Sequence, residues 1–159
     1  MEEYADLNLV GYLYNRCFGG FSFSDNFVKR INEDRKGTGL NPIMNYCERR
    51  TDSDIIALLK EWGSEKSSGS CAKLEVCWIP AEFLKYANIH ETGGREVIRV
   101  KYNEIYADLL KGFMEERKVN SALTLEDLEK RYAAAEAKIG RYHKFLSEFP
   151  SEEAVYEED

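Results

Sequence analysis

Apolar residues recur at Leu125, Leu128, Tyr132, Ala135, Ile139, Tyr142 and Leu146, in steps of three and four. That is a heptad seam across about three repeats, and it commits the last third of the chain to helix. Thr124 stands where an N-cap belongs, Asp127 follows three residues later as in a capping box, and Pro150 bars continuation. A narrow apolar stripe has to be covered by something. Two coverings are open. The preceding helix, started by Asn103 and carrying Tyr106, Leu109 and Phe113 with Tyr102 just ahead, can fold back through a short link at 118–123 as an antiparallel hairpin. Packing on that helix is the simpler reading. The other puts Leu125, Leu128, Tyr132, Ile139, Tyr142 and Leu146 at an interface, with a second copy as a homodimer or with a partner protein.

Upstream the pattern mixes two periods. Residues 7–14 (Leu-Asn-Leu-Val-Gly-Tyr-Leu-Tyr) and 73–79 (Lys-Leu-Glu-Val-Cys-Trp-Ile) read as strands, the second closed by Pro80. Residues 86–91 and 96–102 flank Thr92-Gly93-Gly94-Arg95, a turn whose glycines supply the positive φ of a tight hairpin. Helices are expected at 25–35, capped by Ser24, and after Thr51, with Asp54 completing a capping box. The second carries Ile55, Leu58, Leu59 and Trp62 on one face and meets a C′ stop at Gly63. Residues 37–50, with Pro42, and 64–70 read as loops. The fold class is therefore α+β: a small, mainly antiparallel sheet, two packed helices and a C-terminal antiparallel helical hairpin. The expected division is a core domain at 1–102, the hairpin at 103–150 and an acidic, solvated tail at 151–159.

Charge narrows the function classes. Lys and Arg total 22 against 29 Asp and Glu, a net charge of −7. Binding to nucleic acid relies on a net positive surface, so it is disfavoured. No apolar run approaches the roughly 18 residues of a membrane span. The acidic start shows no secretory pattern, so an intracellular, cytoplasmic or virion-associated protein is expected, not a secreted one. Cys17, Cys47, Cys71 and Cys77 form no CxxC pair and read as free thiols, Cys77 as a core residue. With two histidines and no metal-ligand spacing, no metal or other cofactor is expected.

The most unusual segment is Asn15-Arg16-Cys17-Phe18-Gly19-Gly20-Phe21-Ser22-Phe23-Ser24-Asp25. It joins a strand to a helix N-terminus through two glycines, an arrangement that can bring backbone N–H groups and a helix dipole to an anion. Arg16, Gly19, Gly20, Ser22 and Ser24 are its candidate ligand-binding residues, for phosphate or a nucleotide. Arg49 and Arg50, ahead of the second helix, can converge on the same ligand if both helix N-termini share one end of the sheet. The plainer reading is a tight turn anchored by Phe18, Phe21 and Phe23, with the arginines paired to Glu48, Asp52 and Asp54. No lysine stands in P-loop position and no GxGxxG is present. A cysteine nucleophile would need a base, and only a Cys17–His90 pair offers itself; His143 lies beside the seam. Ten tyrosines raise the prospect of a protein interface.

The Asn-Arg-Cys-Phe-Gly-Gly-Phe-Ser stretch resembles short proteins of phages and large DNA viruses. In them such a segment is followed by Arg-x-Asp before a helix, here Arg50-Thr51-Asp52, then a strand ending Ile-Pro, here 74–80, then an acidic hairpin, here 89–98. The likeness covers residues 8–100. It implies a viral or mobile-element accessory role and brings no catalytic residue with it. The leading expectation is a non-enzymatic accessory protein that binds a host factor or a virion or assembly component. Small-anion binding at Gly19-Gly20 is the alternative, and a cysteine-dependent enzyme stands behind it.

Overall fold

The computed structural model describes residues 2–47, 49–149 and 155–157. The fold is α+β, but the strands form two small sheets instead of one. Strand β1 (Leu9–Asn15) runs antiparallel to β2 (Leu74–Pro80), from Leu9 opposite Pro80 to Asn15 opposite Leu74. Strands β3 (Ala87–Thr92) and β4 (Arg95–Val100) form the expected hairpin, with Gly93 and Gly94 at φ 60° and 89°. The helices are α1 (Asp25–Arg35), α2 (Ser53–Trp62), the single turn α3 (Ser64–Ser67), α4 (Tyr102–Val119) and α5 (Leu125–Glu148). Strand β5 (Val155–Glu157) lies parallel to β4. The acidic tail is therefore not wholly solvated backbone as expected; Pro150, residues 151–154 and residues 158–159 lie outside the described residues. Two 3-10 stretches, Glu2–Leu7 and Ala81–Tyr86, complete the order.

The β1–β2 ribbon separates two cores, because successive side chains on a strand point to opposite faces. Leu13 and Leu74 pack with Phe27, Ile31, Ile55 and Leu59 of α1 and α2. Tyr14, Cys77 and Ile79 pack on the other side with Ile98 and Val100 of β4 and with Ile139, Tyr142 and Phe145 of α5. Each fully buried side chain of this size contributes about 1.5–3 kcal/mol relative to leaving it in water. Gly11 lies where α2 packs close on β1: a Cβ there would sit 3.0 Å from the Ile56 side chain, tighter than ordinary contact.

The seam on α5 is covered from within the chain. Ile139 and Tyr142 are buried in the core, Leu128 is buried beneath the hairpin, Tyr132 meets the Tyr106 ring at 5.8 Å, and Leu146 is half-buried against the core. The Tyr142 hydroxyl donates to the Trp78 carbonyl at 2.8 Å, tying α5 to β2. These residues do not face outward for a second copy; Leu125 alone of the six is exposed. By the same packing α5 shares one core with the strands on the other side of residue 102.

Caps follow tertiary demand. Thr124 forms the full capping box with Asp127. Thr51 does not cap α2. The helix starts after Asp52, and Asp52 and Asp54 both accept from the buried Arg35 guanidinium, at 2.9 and 2.8 Å. That contact holds the Asp54 carboxyl below the usual carboxylate range, against the opposing effect of partial burial. Asn103 does not cap α4 either, because Tyr102 is drawn into the first turn, edge-on to Phe83 and His143. Thr124→Ala is expected to cost about 1 kcal/mol in denaturant unfolding. Thr51→Ala is expected to leave stability unchanged, since its hydroxyl caps nothing.

Candidate functional site

The strand-to-helix segment is a clasp over the β3–β4 turn. Asn15 ends β1 fully buried. Its side-chain amide donates to the Cys17 and Gly94 carbonyls at 2.7 and 2.8 Å, and its Oδ1 accepts from the Lys73 N–H at 2.8 Å. The Gly19 N–H donates to the Gly93 carbonyl at 3.1 Å. The approach is backbone on backbone. A Cβ on Gly94 would lie 2.5 Å from the Gly19 amide nitrogen and closer still to that of Gly20, and one on Gly19 would lie 2.5 Å from the Cys71 carbonyl oxygen.

A buried ion pair fastens the clasp. Arg50 and Glu96 form two parallel bonds of 2.7 Å, and the two residues are 9% and 5% exposed. Glu96 Oε1 also accepts from the Asn15 N–H at 2.8 Å, and the Arg50 guanidinium donates to the Leu13 carbonyl at 3.1 Å. The same guanidinium lies over the Phe21 ring, 4.0 Å from its centroid. A planar fork that is bonded on its edge and stacked on its face suits arginine and not lysine. One carboxylate thus joins β1, the segment before α2, and β4.

This arrangement gives most of the candidate anion-binding groups partners within the fold. Arg16 pairs with Glu75 at 2.7 Å. Arg50 pairs with Glu96, and Arg49 is exposed away from that pair. The three do not converge on an open space. Ser24 accepts from the Phe27 N–H and donates to the Lys66 carbonyl, so it is spent as the α1 cap, and Ser22 is buried. The amides of Arg16, Gly19, Phe23 and Ser24 all donate to backbone carbonyls. A polar hollow of about 400 Å³ opens beside Ser22 and Ser24, yet the charged residue lining it is Asp25, whose carboxylate repels an anion. Arg50 pairs with neither Asp52 nor Asp54, because Arg35 has claimed both; Glu48 lies outside the described residues. Of the three phenylalanines, Phe23 is buried and stacks on Phe27, Phe21 is half-buried, and Phe18 is 66% exposed.

Glu96 was not singled out from the sequence, although a signal was there. Glu96, Ile98 and Val100 alternate on one strand face, so an acid in an apolar register announces a buried partner. Cys17 is half-buried in the clasp, and His90 sits exposed on β3 opposite Val97. Among the described residues, no cluster of His, Cys, Asp or Glu is able to hold a metal ion, and no helix is long and apolar enough to cross a membrane. Compared with protein families, with characterised proteins and with solved structures, the chain has no match.

Proposed function

We propose that the protein works without catalysis, as an accessory protein that binds another protein through its helical hairpin. The observation that carries this reading is the apolar surface of the hairpin. Leu110, Met114, Val119 and Leu125 are exposed, Val119 at 90% and Leu125 at 66%, while Phe113 and Leu128 on the same two helices are buried. Large apolar side chains grouped on one supersecondary unit are the surface a partner buries. The internal neutralisation of Arg16 and Arg50 supports the same reading from the other side, by leaving the glycine segment little to offer a small anion. The resemblance to phage and large-DNA-virus proteins extends the proposal to a host factor or an assembly component as the partner.

The test is in-cell crosslinking with Met114→Glu and Leu125→Glu combined, two exposed positions whose change leaves the core intact. A partner crosslinked to the wild-type chain is expected to be lost from the double variant, with far-UV circular dichroism unchanged. Equal recovery of every crosslinked protein by both chains would defeat the reading.

A further inference from the structure

We infer that the polar hollow beside the start of α1 binds a neutral sugar ring, free or at the end of a glycan. The site shares no residue with the hairpin surface and stands or falls independently of it.

Three segments of loop enclose the hollow and are bonded to one another. The Gly69 N–H donates to the Ser22 carbonyl at 2.9 Å, and the Phe23 N–H donates to the Asn45 carbonyl at 2.7 Å. The enclosed space of about 400 Å³ is ample for one sugar ring. Ser22 lines it and is 9% exposed, yet among the described residues its hydroxyl has no hydrogen-bond partner. A buried hydroxyl without a partner is costly, and a ligand that bonds it recovers that cost. The fold makes room for this hydroxyl. A Cβ on Gly69 would lie 2.0 Å from Ser22 Oγ.

Two acceptors stand with it on the same wall. The Asn45 side-chain nitrogen is spent on the Phe23 carbonyl at 3.1 Å and on Asp25 Oδ1 at 2.6 Å. That fixes the Asn45 side chain and leaves its Oδ1 and Asp25 Oδ2 to accept from elsewhere. Tyr46 completes the lining and is 81% exposed. An open aromatic ring offers its negative face to the C–H groups of a sugar.

Charge and hydrogen bonding select the ligand together. Asp25 is the charged residue of the hollow and repels an anion. The N-terminus of α1 is the positive end of its dipole and opposes a cation. An apolar ligand leaves the Ser22 hydroxyl unpaired. What satisfies the group is a neutral molecule with several O–H donors on a rigid frame and a C–H face for Tyr46. A pyranose has both.

The experiment titrates the isotope-labelled full chain with the methyl glycosides of glucose, galactose, mannose and N-acetylglucosamine and follows the amide resonances. Saturable shifts centred on Ser22, Asn45 and Gly69 are expected with at least one of them. Ser22→Ala is expected to weaken that binding about two- to tenfold, the worth of one hydrogen bond. Tyr46→Ala is expected to weaken it by about the same factor, the worth of one aromatic contact. Neither variant removes a hydrogen bond of the described fold, so far-UV circular dichroism is expected to be unchanged. Binding of the same sugar at the end of an immobilised oligosaccharide supports a glycan as its source, and binding of the free glycoside alone supports a soluble one. The inference is overturned if all four glycosides leave Ser22 and Gly69 unmoved, or if both variants bind as the wild type does. It is also overturned if methylammonium moves the same amides and no sugar does, since the hollow then belongs to a cation.

Discussion

Glu96→Ala is expected to destabilise the protein by about 3–5 kcal/mol, the cost of stranding a buried charge, and this is among the largest losses any single side chain here can give. The substitution leaves the Arg50 guanidinium buried over Phe21 without its carboxylate and the Asn15 N–H without its acceptor. Denaturant unfolding measures it. The decisive comparison is the pair Arg50→Met with Glu96→Leu. Removing both charges avoids the stranded ion, so the double variant is expected to be more stable than Glu96→Ala. A double variant as unstable as the single one would mean that the loss comes from packing and not from the charge.

Gly94→Ala is the second large effect. Gly94 sits at φ 89°, a region that costs an alanine about 1–2 kcal/mol before any contact is counted. The added Cβ then meets the amide nitrogens of Gly19 and Gly20, which are backbone and have no rotamer to swing aside. The expected total is about 3 kcal/mol or more. Gly20→Ala is the internal control. Its φ is 95°, but nothing lies within 4 Å of the place its added methyl would take, so only the conformational cost of about 1–2 kcal/mol is expected. Similar losses at the two positions would show that the turn and the glycine segment do not press together.

Much of the architecture was legible because it rests on local rules. The alternation around Gly93-Gly94 specified the hairpin, the seam from Leu125 specified α5, and the Thr124–Asp127 box specified its start. The failures were all tertiary. Thr51 and Asn103 look like caps in sequence, but Arg35 and Tyr102 decide where α2 and α4 begin. The heptad seam was readable as an interface because a stripe shows that it is covered and not by what; Tyr4, Cys77 and Ile79 turn out to share its core.

The candidate site was legible in position, while its contacts within the fold were not. The stretch from Asn15 to Ser24 is as constrained as its composition suggested. Its glycines make room for another turn of this chain. Knowing that required Glu96, which lies 46 residues beyond Arg50 in sequence. No local pattern links those two, although the acid in the apolar register of β4 marked one end of the bond.

The most direct test of the central claim, that this segment is an internal clasp and not an anion site, is an amide-resolved titration with inorganic phosphate and with a nucleoside triphosphate. The resonances of Gly19 and the Arg16 and Arg50 guanidinium groups are expected to stay in place through millimolar concentrations of both, because their partners are already within the fold. Saturable movement of Gly19 and Gly20 that disappears in Arg16→Ala would contradict the account and restore the segment as a ligand site.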